Sequence, residues 1–411
     1  MFENIKNNRI SQRLKIDEML KNADANADGY LNVEEVKNIF AAQSVNISDD
    51  ELSKLIEAHD KDGNELVGNK ELYKIIKNIN IDHKPDLSPK EFEIVQNKIA
   101  DKLKVEEIKE QHKILKDSSV SKEEKDAVKF QLEIIHLERK QIITKNTEIR
   151  QDIHIDVINQ KISENKAKLE YTDNTESENK NITGKIEKLQ EKLTVLEKKQ
   201  AVTSAEVVLN EANINLCKKS AEYGLTEPFT PDVEKDVPLE TGQKAELSGL
   251  LTESKKAEVL LDKAENELEL HQTGQKIEKK TEQLEKPYIP EFHKETVKKD
   301  IEKLEVEKDS LQLKIKWNEE SAEILDKVKE LHELRRTNPA NKEAIAEARK
   351  ELSVSRKQAR IDYYTALIQQ LQNRAANHPS SGKRFQQRID HLTQKIDELK
   401  ALLTNIEGET V

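Results

Sequence analysis

The chain is poor in the residues that build a broad globular interior. Across 411 residues, aromatics reach only 4% and hydrophobic side chains 35%, while charged side chains reach 36%. One large hydrophobic core is excluded by that balance; long helices joined along narrow apolar stripes are not. A single cysteine, Cys217, rules out an internal disulfide and leaves no partners for a zinc site. It reads as an inert helical thiol. Proline is absent before Pro85 and glycine is sparse, so both act as punctuation. No apolar run is long enough to span a bilayer. The opening stretch, MFENIKNNRISQRLKIDEML, has no uninterrupted apolar centre, which argues against a classical signal peptide and for a cytoplasmic protein. Non-classical secretion into a host cell stays open. The net charge of −11, with Lys and Glu interleaved, speaks against a nucleic-acid partner, which would need a concentrated basic surface.

What is present begins at residue 24. The stretch DANADGYLNVEE places an oxygen-bearing residue at nearly every second position. Asp24, Asn26 and Asp28 stand at loop positions 1, 3 and 5, and Gly29 occupies position 6, where a sharp turn is needed. Tyr30 offers its backbone carbonyl at position 7, Asn32 stands at position 9, and Glu35 closes the loop at position 12. A hard divalent cation such as calcium takes about six to eight oxygens, and a short loop supplies them only by curling around the ion. The plan returns in DKDGNELVGNKE from residue 60. Asp60, Asp62 and Asn64 repeat the first three ligands, Leu66 gives the carbonyl, and Glu71 closes. Gly68 at position 9 leaves that place to water. Position 6 is Glu65 rather than glycine, a strain of about 1 kcal/mol that Gly63 would ease. Leu31 and Val67, at position 8 of each loop, are expected to meet across a short two-stranded ribbon.

The flanks are helical in period. Ile16, Met19, Leu20 and Ala23 share a face before the first loop, and Leu52, Leu55 and Ile56 before the second. Val36, Ile39 and Phe40 follow the first loop; Leu72, Ile75 and Ile76 follow the second. Ser48, with Glu51, is expected to cap the helix between them. On these two loops, residues 1–80 resemble the EF-hand calcium-binding superfamily, the group of calmodulin-like paired EF-hands. The resemblance implies a four-helix lobe with two calcium sites, the second weaker. Residues 1–80 carry 15 acidic and 11 basic side chains, an excess of four negative charges that two calcium ions cancel.

The remainder has no such resemblance. Ser88 before Pro89 predicts a helix over 89–116, and Ser121 with Glu124 predicts the next, to about 171. Further helices are expected over 178–222, 242–285, 291–336, 340–376 and 382–407, separated by proline- and glycine-bearing breaks. The organisation read from this is an EF-hand domain at 1–80, a long-helix coiled-coil region at 85–222, a proline-containing linker at 223–241, and a second helical coiled-coil region at 242–407. Apolar steps of four and three run through Ile182, Ile186, Leu189, Leu193 and Leu196, then more weakly through Gln200, Thr203 and Val207. Val354, Lys357, Ile361, Tyr364, Ile368 and Leu371 step likewise, as do Ala257, Leu261, Ala264 and Leu268. Short breaks favour antiparallel hairpins within one chain, with pairing between chains the rival arrangement. The fold class is therefore all-α: a paired EF-hand lobe followed by long antiparallel helices.

Catalytic patterns are missing. The stretches HELRR and HLERK lack the second histidine of a zinc-protease helix, and no phosphate loop or dinucleotide fingerprint occurs. The histidines read as helix-surface residues, and no enzyme is expected. Arg335, Arg336, Arg349, Arg356, Arg360, Arg374, Lys383, Arg384 and Arg388 enrich the C-terminal third. Ordinary interleaving with glutamates accounts for them, although such a face would also suit an acidic partner or anionic lipid. The resulting expectation is a calcium-binding adaptor or scaffold, its helical rods meeting a protein partner or a second copy of the chain. The alternatives are a structural spacer stabilised by calcium and an interaction protein delivered into another cell.

Overall fold

Helix boundaries in this chain are written by capping chemistry. In the computed structural model, which describes residues 21–26, 29–42, 49, 52–53, 56, 66–68, 71–72, 75, 88–170, 175–230, 232, 239–286, 288–377 and 382–408, eight named helices stand among the described residues. They are α1 (Val33–Ala42), α2 (Pro89–Lys116), α3 (Lys122–Leu169), α4 (Glu176–Glu222), α5 (Thr241–Leu284), α6 (Glu291–Thr337), α7 (Lys342–Asn377) and α8 (Gly382–Gly408). The Ser88 Oγ accepts the Glu91 backbone N–H at 3.3 Å, and the Glu91 carboxylate accepts the Ser88 N–H at 3.0 Å. Pro89 takes the first helical position, where its missing N–H costs no intrahelical bond. The same reciprocal pair opens α3 through Ser121 and Glu124. It opens α4 through Thr175 and Glu178. No described helix is long and apolar enough to cross a membrane. The expected Ser48 cap, and Ile16, Met19, Leu20, Leu55 and Ile76, lie outside the described residues.

Two compact units divide between His154 and Ile155. In the first, α2 and α3 run antiparallel. Lys90 meets Asp152 at 3.8 Å, Asp101 meets Arg139 at 2.8 Å, and Lys104 meets Glu138 at 2.7 Å, so residue numbers rise on one helix as they fall on the other. These pairs are half-exposed and contribute little stability each. Their value is in register.

The second unit holds α4 to α8, and each of these helices lies against the next. Lys280–Asp300, Lys263–Glu319 and Lys329–Glu253 bridge α5 and α6 at 2.7–2.9 Å. Trp317 of α6 meets Tyr363 of α7 with ring centroids 4.9 Å apart. Leu371 of α7 is buried with Ile389 and Leu392 of α8. The apolar steps read from sequence are the surfaces used. Ile182, Ile186, Leu189, Leu193 and Leu196 cluster with Ile158 and Ile162 of α3. Thr203, a weak point in that stripe, is nevertheless buried, and its hydroxyl is satisfied by the Lys199 carbonyl at 3.1 Å.

The stretch after α4 departs from the picture of a plain linker. Gly224 adopts φ +78°, a conformation that a side chain would strain. The Leu225 N–H then bonds the Ser220 carbonyl and the Gly224 N–H the Ala221 carbonyl, both at 3.0 Å, closing the helix in a Schellman turn. This aims Leu225 and, four residues on, Phe229 into a core shared with Leu216 of α4 and Leu247 of α5. Phe229 is 1% exposed. Its N–H donates to Ser220 Oγ at 3.1 Å, and that hydroxyl donates to the Leu216 carbonyl at 2.8 Å. Leu and Phe among the prolines are thus anchors.

Phe229→Ala is expected to cost about 3–5 kcal/mol of stability, read by chemical denaturation, because it empties a closed core site. A pH effect follows from the caps. Backbone N–H donors from Ser121 and Thr175 hold the Glu124 and Glu178 carboxyls below the usual glutamate range. A depressed folded value means stabilisation present above the ordinary value and lost as pH falls through the depressed one. Acidification is therefore expected to lower hydrogen-exchange protection in the first turns of α3 and α4, and Glu124→Ala to abolish that pH response in α3 alone.

Candidate metal centre

The first loop is held open by its own ligands. Asn32 caps α1, its Oδ1 accepting the Glu35 N–H at 2.9 Å. Glu35 answers, with Oε2 accepting the Asn32 N–H at 2.9 Å and Oε1 accepting the Ala25 N–H at 3.0 Å. The position-12 carboxylate thus spans the loop from its end to its start. Asp24 Oδ2 accepts the Gly29 N–H at 2.9 Å. Gly29 has φ +81°, the left-handed turn that position 6 requires. These bonds pull Asp24 and Glu35 inward while leaving lone pairs for an ion.

The two loops are tied together as expected. Leu31 and Val67 form an antiparallel bridge, with Leu31 N–H to Val67 carbonyl at 3.0 Å and the return bond at 2.8 Å. Both side chains are buried. In the second loop, Glu71 Oε2 accepts the Gly68 N–H at 3.0 Å, so its carboxylate folds back over the loop as Glu35 does. Glu35 and Glu71 are only 6% and 8% exposed. Asp24, Asn26, Tyr30, Asn32, Glu35, Leu66 and Glu71 are therefore placed; Asp28, Asp60, Asp62 and Asn64, with Gly63 and Glu65, lie outside the described residues.

The described donors of the first loop are oxygens throughout, two carboxylates and two amides with the Tyr30 carbonyl to follow. That chemistry suits a hard cation of calcium's kind, and calcium would be held by Asp24, Asn26, Asn32 and Glu35. Among the described residues no cluster of three or more His, Cys, Asp or Glu side chains offers a rival metal site.

A core of Leu31, Val36, Phe40, Leu52, Val67, Leu72 and Ile75 lies behind the ribbon, each of them almost fully buried. The EF-hand pattern in the sequence covers residues 1–80. The core does not stop there: Val95 and Ile99 of α2 are buried in it, 4% exposed each, and Leu103 packs against its edge. These residues step by four along one face of α2, a spacing visible in the sequence but equally consistent with a rod seam.

Calcium at about a hundredfold excess over its dissociation constant is expected to raise the stability of the lobe by about 2.7 kcal/mol for each site filled. Glu35→Gln is expected to remove the first loop's share, and unfolding curves with and without calcium check both.

Comparison with known proteins agrees with this geometry. No curated protein and no solved structure matches the chain significantly. Residues 13–77 match the family profile described as an EF-hand domain pair, and that segment, with calcium binding as its general chemistry, is what the chain shares with a known family.

Proposed function

We propose that the protein is a calcium-binding adaptor in which the EF-hand lobe controls, through α2, what the helical rods present to a protein partner. The observation that carries this reading is the burial of Val95 and Ile99 in the lobe core. An EF-hand lobe that opens with calcium uncovers an apolar groove. Here the chain's own helix covers apolar surface on the lobe. A rearrangement of α1 and the core behind it must move or release α2, because close-packed interiors shift between discrete arrangements. Arg139–Asp101 and Lys104–Glu138 then connect α2 to α3. An ion bound at Asp24 and Glu35 is in this way mechanically linked to the first helical hairpin. Partner binding by an amphipathic helix in the vacated groove is the matching recognition mode.

The alternative is a spacer whose calcium lobe only adds stability. The two differ in what calcium does to α2. Hydrogen exchange of the full-length protein is expected to show calcium-dependent protection changes at amides 91–103 as well as in the loops. Changes confined to the loops would refute the adaptor reading and leave the spacer.

A further inference from the structure

In the second unit, lysines at helix interfaces find carboxylates. Lys256, Lys263, Lys280 and Lys329 each meet an Asp or Glu across the α5–α6 interface. One place breaks that habit. A cavity of about 790 Å³ lies among α6, α7 and α8, lined by Arg335 from α6 and by Arg349, Arg356, Lys357 and Arg360 from α7. No acidic side chain lines it, and none of the five cations has a carboxylate partner among the described residues. Lys357 reaches only the Ser353 hydroxyl, at 2.5 Å. The Arg335 Nε is buried with no hydrogen-bond partner. Burial, and then the neighbouring Arg349 charge, weaken the hold of Arg335 on its proton.

Like charges gathered without counter-charge repel one another, and a bound anion relieves the repulsion. Several features narrow that anion. Four of the five cations are arginines, whereas the α5–α6 interface uses lysines. The planar guanidinium fork matches phosphate in two hydrogen bonds, which an ammonium cannot do. Arg349, Arg356, Lys357 and Arg360 fall on one face of α7, and the first and last lie about 16 Å apart along the helix. A single phosphate cannot reach all of them; several phosphates on one molecule can. The cavity's volume is within the range of small-molecule sites. Leu352, Leu399 and Leu402 add an apolar wall, and Trp317 stands at one end.

We propose that the cavity between α6, α7 and α8 is a binding site for a multiply phosphorylated small molecule or lipid headgroup, held by Arg335, Arg349, Arg356, Lys357 and Arg360. The site is separate from the calcium loops and goes beyond the adaptor reading.

Trp317 is the chain's single tryptophan and lines this cavity, so its emission can be followed there without a second tryptophan's signal. Full-length protein titrated with inositol hexakisphosphate is expected to give a saturable change in Trp317 emission, absent with sodium sulfate at matched ionic strength. The triple variant Arg349→Gln, Arg356→Gln, Arg360→Gln alters exposed side chains and is expected to keep the wild-type melting temperature. It should bind at least about a hundredfold more weakly, three charge-assisted hydrogen-bonding groups having been removed. Sedimentation with phosphatidylcholine vesicles containing phosphatidylinositol bisphosphate separates the sources. Capture that the soluble probe competes away identifies a lipid headgroup; soluble binding without capture identifies a free phosphorylated molecule. No saturable change, an equal response to sulfate, or wild-type affinity in the folded triple variant would overturn the proposal.

Discussion

A helix whose apolar stripe is only a few side chains wide gains almost nothing by itself. Isolated helices are marginal in water, and their stability in proteins comes from covering that stripe. With a third of its residues charged, this chain has no spare apolar surface for a central core, so every long helix depends on a neighbour lying along its length. Most breaks between the long helices are short, and the nearest available neighbour is the next helix in sequence. Antiparallel hairpins follow from that constraint. So does the pattern of half-exposed Lys–Glu and Lys–Asp pairs beside the seams. Each contributes little energy, but together they penalise a slipped register, because a shift of one turn would set like charges side by side.

Much of this was legible residue by residue. Ser88, Pro89 and Glu91 announced the start of α2, and Ser121 with Glu124 the start of α3, because capping is local chemistry between residues three apart. The EF-hand loop was legible for a related reason: an ion-binding loop draws its ligands from twelve consecutive residues. Gly29 at φ +81° and the Leu31–Val67 bridge stand where the loop pattern put them.

What escaped the sequence depends on residues far apart along the chain. Val95 and Ile99 fit a rod seam as well as a lobe core; only the fold tells which apolar face they meet. Leu225 and Phe229 sit in a proline-rich stretch without period, and their burial comes from a turn that ends one helix and a second helix that begins much later. The arginines of the cavity among α6, α7 and α8 looked like ordinary surface charge because their convergence requires α6 and α7 to fold back on one another. One signal was available. Lys357 occupies a seam position between Val354 and Ile361, and a cation in an apolar seam marks a place where the interface is not dry.

The order of α4 to α8 in space, each against its successor, bears on how the chain is made. A protein emerges from the ribosome from its N-terminal end, and a stripe left waiting for a distant partner is an opportunity for aggregation. Here each stripe waits only for the helix that follows it. The Schellman turn at Gly224 and the Phe229 anchor preset the reversal from α4 to α5 before α5 is complete. Assembly can then keep step with synthesis, one hairpin at a time, and contacts that are this local in sequence favour rapid closure. For a chain with so little apolar surface, the sequence of its helices doubles as a schedule for burying them.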